Sequence, residues 1–107
     1  MGDERKIQFS SFPDLDELDN AKAMDTINSF YDKASKMSAG SPSLSVHYKE
    51  RRSSGLRKMH VLQVRFSAPG LSARAEESGW SFLSVLQKSL KALKREIDSK
   101  TDRAKKK

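Results

Sequence analysis

Residues 44–76, LSVHYKERRSSGLRKMHVLQVRFSAPGLSARAE, contain three successive stretches in which apolar and polar side chains alternate. An alternation with a period of two residues is typical of β-strands that place one face in a core. Short connections separate the stretches, so we predict hairpins in which neighbouring strands are antiparallel. The residues on the apolar side are Leu44, Val46 and Tyr48, then His60, Leu62, Val64 and Phe66, and last Leu71, Ala73 and Ala75.

The segment after these strands has the period of a helix. We predict a helix from about Trp80 to about Asp102, because apolar residues recur there at spacings of three and four. Residues 103–107, RAKKK, offer almost nothing to bury, so we expect a flexible basic tail. The apolar stripe of the helix comprises Leu83, Leu86, Leu90, Leu93 and Ile97, with Phe82 beside it.

The segment before the three strands predicts one more strand and one more helix. Residues 6–12 favour a short strand, since Ile7 and Phe9 lie two residues apart. The acidic run at residues 14–19 suits a helix N-terminus, although such a run can also hold a cation. Gly40 and Pro42 lie where the helix is expected to end. Its apolar face carries Ile27, Phe30, Tyr31 and Ala34, with Met24 and Met37 one turn to either side.

The predicted order is strand, helix, three strands, helix. This order buries best as two helices on one face of a four-stranded, mostly antiparallel sheet whose other face is polar, which is an α+β fold. With 107 residues, of which 36% are apolar, the chain can form one small core rather than two. We therefore expect a single domain over residues 1–102, followed by the tail.

The chain is strongly basic and its charge is uneven. It has 21 Lys and Arg against 14 Asp and Glu, a net charge of +7 and a pI of about 9.8. Residues 1–40 hold 8 acidic and 5 basic residues, whereas residues 41–107 hold 6 acidic and 16 basic ones. A basic chain of this size suits a polyanion such as nucleic acid or an acidic membrane surface, and an acidic protein partner less often.

Composition also excludes several kinds of site. The chain has no cysteine, which excludes disulfides, thiolate zinc sites and cysteine nucleophiles. No apolar run approaches the ~18–20 residues of a membrane span, and the first thirty residues lack a signal-peptide pattern. We therefore expect a cytoplasmic protein that does not bind membranes.

Two basic clusters are candidates for contact with phosphate. On the second helix, Lys88, Lys91 and Arg95 share a face opposite the apolar stripe, with Lys94 at its flank. The alternative is that these side chains form only a solvated helix surface. The loop between the second and third strands holds a second cluster, in which arginine forks suit bidentate pairing with phosphate. Its members are Arg51, Arg52, Arg57 and Lys58, and the outward sheet face would add Lys49, Arg65 and Arg74.

Catalytic and metal sites are not indicated. Alternation sends His47 to the polar face and His60 to the apolar face, so the two histidines do not converge, and metal binding would need more ligands. The sequence has no nucleophile-elbow pattern and no glycine-rich phosphate loop. We expect the aromatic residues Phe9, Phe30, Phe66 and Phe82 to lie in the core, which leaves no stacking platform for bases. We predict no cofactor, no small-molecule substrate and no enzyme activity.

Taken together, the element order and several short motifs resemble the ribosome hibernation promoting factor family, over about residues 6–100. The residues that carry this resemblance are Leu44-Ser45-Val46, Arg74-Ala75-Glu76, and Leu86, Leu90, Leu93, Arg95 and Ile97. Members resemble a double-stranded-RNA-binding fold in layout. Ser81-Phe82-Leu83 departs from the family, whose members commonly have Asp-Met-Tyr there.

The resemblance implies a translation regulator that binds the small ribosomal subunit. Such a protein occupies the channel for messenger and transfer RNA, inhibits idle ribosomes in stress and places basic helix residues against ribosomal RNA. Arg95 matches a basic position of the family, and Lys22, Lys33 and Lys36 of the first helix would supply a companion surface. The long family members carry a second, dimerising domain; the chain resembles the short form, so we expect a monomer.

Two other readings stay open at the level of sequence. The first is a small interaction module whose apolar helix stripe or sheet edge binds an acidic protein; it would bind without ribosomes and depend less on salt. The second is a hydrolytic enzyme, which requires a buried cluster of polar groups around His47 or His60.

Overall fold

The computed structural model describes residues 6–37, 40–52 and 58–105, with side chains described as far as Lys100. Four strands and two helices follow one another in the predicted order, and the α+β fold is confirmed. The elements are β1 (Lys6–Ser10), α1 (Glu17–Lys36), β2 (Ser43–Arg52), β3 (Lys58–Ala68), β4 (Leu71–Gly79) and α2 (Phe82–Lys105).

The four strands form one mixed sheet in the order β1-β2-β3-β4. The β2–β3 and β3–β4 pairs are antiparallel, as expected for hairpins, whereas β1 pairs with β2 in parallel. The parallel pair is a consequence of α1, because a helix between two strands returns the chain to the starting end of the sheet. The sheet is therefore mostly antiparallel, as predicted.

Both helices contribute to the single core cluster, on one face of the sheet. Leu44, Val46, Leu62, Val64 and Phe66 form the sheet side of the core and are at most 1% exposed. The helices add Ala23, Ile27, Tyr31 and Ala34 from α1 and Phe82, Val85, Leu86, Leu90, Leu93 and Ile97 from α2.

The start of α1 explains the acidic run. Asp16 is the N-cap residue, and its Oδ1 accepts a hydrogen bond from the backbone N–H of Asp19 at 2.8 Å. Glu17 and Asp19 lie in the first turn, where negative charge favours the positive end of the helix dipole. The helix therefore begins within the predicted run, and this carboxylate of Asp16 is used in capping.

Several strand and helix boundaries differ from the sequence prediction. β1 ends at Ser10 rather than at Phe12, and β4 extends to Gly79, opposite His60. α2 begins at Phe82 and continues to Lys105, because no glycine or proline lies between residues 82 and 105 to end it. Lys106 and Lys107 of the predicted tail lie outside the described residues.

Phe9 is the aromatic residue whose predicted burial is wrong. Phe66 and Phe82 are buried and Phe30 is half-buried, but Phe9 is 41% exposed. Its ring packs edge-on against Phe12, with centroids 5.1 Å apart, and Phe12 packs in the same way against Phe82 at 5.4 Å. The Phe9 side chain remains exposed because it lies near the end of a five-residue edge strand.

Candidate nucleic-acid interface

A groove between α1 and α2 brings predicted cations of both helices together. Lys33 from α1 and Lys91 and Lys94 from α2 line this groove, which has a volume of about 480 Å³. Its apolar walls include the half-buried Phe30 and the buried Leu90. The other residues lining it are Asp25, Thr26, Ser29 and Gln87. The groove thus combines three ammonium groups with hydroxyl, amide and carboxylate groups.

The outer surface of α2 carries the other predicted helix cations. Lys88, Lys91 and Arg95 are exposed and project away from the buried stripe. None of the three forms an ion pair with a side chain that the structure describes. Their charges are therefore available to an external anion.

Two further lysines of α2 have neighbouring acids. The ammonium of Lys94 lies 3.1 Å from a carboxylate oxygen of Asp98, and that of Lys100 lies 3.8 Å from Glu96. Exposed pairs of this i,i+4 kind are worth only about 0.3–0.5 kcal/mol. A phosphate group can therefore replace the carboxylate at Lys94 at little cost.

The remaining α1 lysines lie outside the lining of the groove. Lys22 and Lys36 are both exposed. Lys22 precedes Lys33 by eleven residues, which is about 16 Å along a helix. The structure therefore brings only Lys33 of the three α1 lysines to the α2 lysines of the groove.

The basic cluster predicted in the β2–β3 loop lies mainly in the strands themselves, at one end of the sheet. The predicted loop position of Arg51, Arg52 and Lys58 is wrong, because β2 continues to Arg52 and β3 begins at Lys58. Arg51 pairs with Met59 and Arg52 with Lys58, beyond the last residues that pair with β1 and β4. Lys58 forms an ion pair with Glu50 at 3.3 Å, whereas Arg51 and Arg52 have no ion pair with a described side chain. Arg57, also predicted to bind phosphate, lies outside the described residues.

The open face of the sheet is the third basic surface. Lys49, Arg65 and Arg74 occupy this face as predicted, and register adds Lys6, which the sequence analysis did not single out. Arg65 lies directly opposite Arg74 in the β3–β4 pair. A depression of about 750 Å³ surrounds the two arginines.

The two histidines occupy opposite faces, as their alternation predicted. His47 lines the depression on the open face, whereas His60 packs on the helix side beside Phe82, with ring centroids 6.2 Å apart. The Tyr48 hydroxyl lies 2.7 Å from Nδ1 of His60. Burial raises the pKa of Tyr48, and the negative charge of Glu50 raises it further.

The described residues also bear on metal binding and on membrane crossing. Within that part of the chain, no three His, Asp or Glu side chains come together as ligands for a metal ion. Neither described helix is long and apolar enough to cross a membrane.

Comparison with known proteins identifies no relative of the chain. The chain matches no protein-family model, and no curated protein matches it.

Proposed function

We propose that the protein is a non-enzymatic factor that binds ribosomal RNA of the small subunit through phosphate contacts. The main interface is the helical surface around the groove between α1 and α2. The observation that carries this proposal is the position of Lys33, Lys91 and Lys94 around one groove. Residues on separate helices thus present several positive charges to one ligand.

The chemistry of the groove suits a nucleic-acid backbone. Phosphate contacts supply most of the affinity of sequence-independent binding, and folded RNA is recognised largely through its shape, phosphates and 2′-hydroxyls. Lysine ammonium groups suit phosphates, while Thr26, Ser29 and Gln87 offer polar groups to sugar hydroxyls. Lys88 and Arg95 extend the same positive surface along α2.

The ribosomal part of the proposal comes from the resemblance to hibernation factors. The order β-α-β-β-β-α agrees with it, and a protein of this type would occupy the channel for messenger and transfer RNA in the cytoplasm. Binding there would inhibit translation, because the same channel cannot hold both the factor and the messenger. The protein would act as a monomer without a cofactor.

Co-sedimentation with purified small ribosomal subunits over a salt series tests this proposal. For a nucleic-acid interface, the logarithm of affinity falls with the logarithm of salt concentration by about 0.7–0.9 per phosphate neutralised. The triple variant K33E/K91E/K94E should lose binding at moderate salt. A triple variant with glutamine at these positions should lower the slope by about 3.

The matched control is K33R/K91R/K94R, which keeps all three charges and should still sediment with the subunit. Circular dichroism of each variant verifies that the fold is retained. A folded K33E/K91E/K94E variant that binds as tightly as the natural chain would contradict the proposed interface. Failure of the natural chain to sediment with subunits at low salt would contradict the proposed function itself.

A further inference from the structure

The open face of the sheet carries a charge imbalance that the helical interface does not use. On the described strands, the outward positions hold five basic residues and one acidic residue, Glu76. The carboxylate of Glu76 accepts a hydrogen bond from the Gln63 amide at 3.3 Å. The basic residues at these positions are Lys6, Lys49, Arg51, Arg65 and Arg74.

The centre of this face is the pair formed by Arg65 and Arg74. Directly opposite residues on antiparallel strands have Cβ atoms about 4.5–5.5 Å apart, and like charges at that distance repel. Both side chains are exposed, and neither pairs with an acid among the described residues. An anion bound between the two guanidinium groups would remove this repulsion, and a phosphate accepts bidentate hydrogen bonds from each.

The surroundings of the arginine pair are polar and concave. The depression has a volume of about 750 Å³. This volume is within the range of sites that hold small organic ligands, and it is larger than a single phosphate group requires. Hydroxyl, imidazole, amide and carboxylate groups line it beside the arginines. They belong to Ser10, Ser45, His47, Gln63 and Glu76, and the Glu76 carboxylate accepts the hydrogen bond from Gln63.

The basic residues continue along the strands beyond the depression. Ser45 lies opposite Arg65, and Lys49 lies four residues further along the same strand. At about 3.4 Å per residue, Lys49 is about 14 Å from that row, and Arg51 is about 20 Å from it. Positive charges thus recur over a length that spans several nucleotides of an RNA strand.

We propose that the open face of the sheet is a second RNA-binding surface, centred on Arg65 and Arg74, which accepts the phosphate backbone of an RNA strand. It extends the proposed function from one face of the protein to two. RNA bound there would lie on the opposite side of the sheet from RNA bound at the helices. A protein with both surfaces can bridge two RNA segments.

The composition of the face favours RNA over an acidic protein or a lipid membrane. Protein interfaces usually have an apolar centre, and amphipathic helices that bind membrane surfaces also insert apolar side chains into the lipid. Among the paired residues of the described strands, the large apolar residues at outward positions are Met59 and Val61, and Val61 is 3% exposed. Protein–nucleic-acid interfaces are instead polar and positively charged.

NMR titration of the full chain with a short RNA duplex tests the second surface. Addition of RNA should shift the backbone amide signals of Ser45, Gln63 and Arg65. In R65Q/R74Q these shifts should disappear, affinity should fall about tenfold and the salt slope should fall by about 2. The matched variant K91Q/K94Q removes the same charge from the helices and should keep the strand shifts.

Three outcomes would overturn this inference. RNA-induced shifts could be confined to the helices, or the strand shifts could persist unchanged in folded R65Q/R74Q. Alternatively, inorganic phosphate or vesicles of anionic lipid could produce the strand shifts while RNA does not. Each result would contradict the proposed binding of RNA at Arg65 and Arg74 on the open face.

Small-subunit co-sedimentation separates this inference from the proposed function. Strand shifts with the RNA duplex, but no sedimentation with subunits, would support the second surface and contradict the ribosomal function. Sedimentation with subunits, but no RNA-induced strand shifts, would support the ribosomal function and contradict the second surface. The two proposals can therefore fail independently.

Discussion

The Tyr48 hydroxyl lies 2.7 Å from Nδ1 of His60 on the helix side of the sheet. The Phe82 ring covers both partners, with centroids 5.7 Å from Tyr48 and 6.2 Å from His60. A hydrogen bond at this distance gives each of these two polar side chains a partner beside the buried Phe82 ring. It explains how a histidine is accommodated at an apolar register position.

Tyr48→Phe should change how stability depends on alkaline pH. Burial, followed by the charge of Glu50, raises the pKa of Tyr48 above its usual value of 10.0. Because the folded state holds this proton more tightly than the unfolded state, the stabilisation is complete below pH 10. It is lost as pH rises through the folded-state pKa. The natural chain should therefore lose more unfolding free energy above pH 10 than Tyr48→Phe does.

Urea unfolding of both proteins at several values between pH 8 and pH 11 measures this difference. At pH 8, Tyr48→Phe should be less stable by about 0.5–1.5 kcal/mol, because it lacks the hydrogen bond to His60. Lysine ionisation is common to both proteins and cancels in the comparison. A stability difference that stays constant from pH 8 to pH 11 would count against the raised pKa.

Local sequence patterns predicted the elements because each pattern follows directly from the geometry of one strand or helix. Leu44, Val46 and Tyr48 alternate and are all buried, and the stripe from Leu86 to Ile97 is buried in α2. The exposure of Phe9 was missed, since a period-two pattern does not reveal how much of an edge strand the helices cover.

The arrangement of the candidate surfaces required the tertiary structure. The opposition of Arg65 and Arg74 depends on the register set by the turn between β3 and β4, and a shift of one residue would move a side chain to the other face. Likewise, the position of Lys33 near Lys91 depends on how α1 packs against α2. A single sequence predicts that these residues are exposed, but not which of them lie together.

Leu93→Ala should severely destabilise the protein, because Leu93 is fully buried in the core between α2 and the sheet. Removal of a buried leucine side chain costs about 2–5 kcal/mol through lost burial and the cavity that remains. Leu18→Ala is the matched control, since Leu18 lies on α1 and is 66% exposed. Chemical denaturation should show a change within about 0.5 kcal/mol for this control. Similar losses for both variants would contradict the assigned core.

Gly40→Ala should be more destabilising than Gly70→Ala. Both glycines have positive φ, +78° and +75°, so either alanine adopts a left-handed backbone that costs about 1–2 kcal/mol. At Gly40 the new Cβ would also lie 2.8 Å from Cγ of Pro69, whereas at Gly70 no described heavy atom beyond the two neighbouring residues lies within 4 Å. Thermal unfolding of the two variants measures the extra cost of this contact. Equal losses would mean that Pro69 moves aside freely.

Arg65→Gln should stabilise the free protein at low salt, although it weakens the proposed binding of RNA. Neutralising one arginine removes its repulsion with Arg74, a cross-strand effect of about 0.2–1 kcal/mol. The gain should shrink as salt rises, because ions screen exposed charges. Urea unfolding at about 20 mM and about 500 mM salt measures this gain in stability. Lys49→Gln is the control, since Lys49 lies opposite Val61 rather than another cation. If Arg65→Gln were less stable than the natural chain at low salt, the two guanidinium groups would not repel each other in the free protein, and an anion would have no repulsion to relieve.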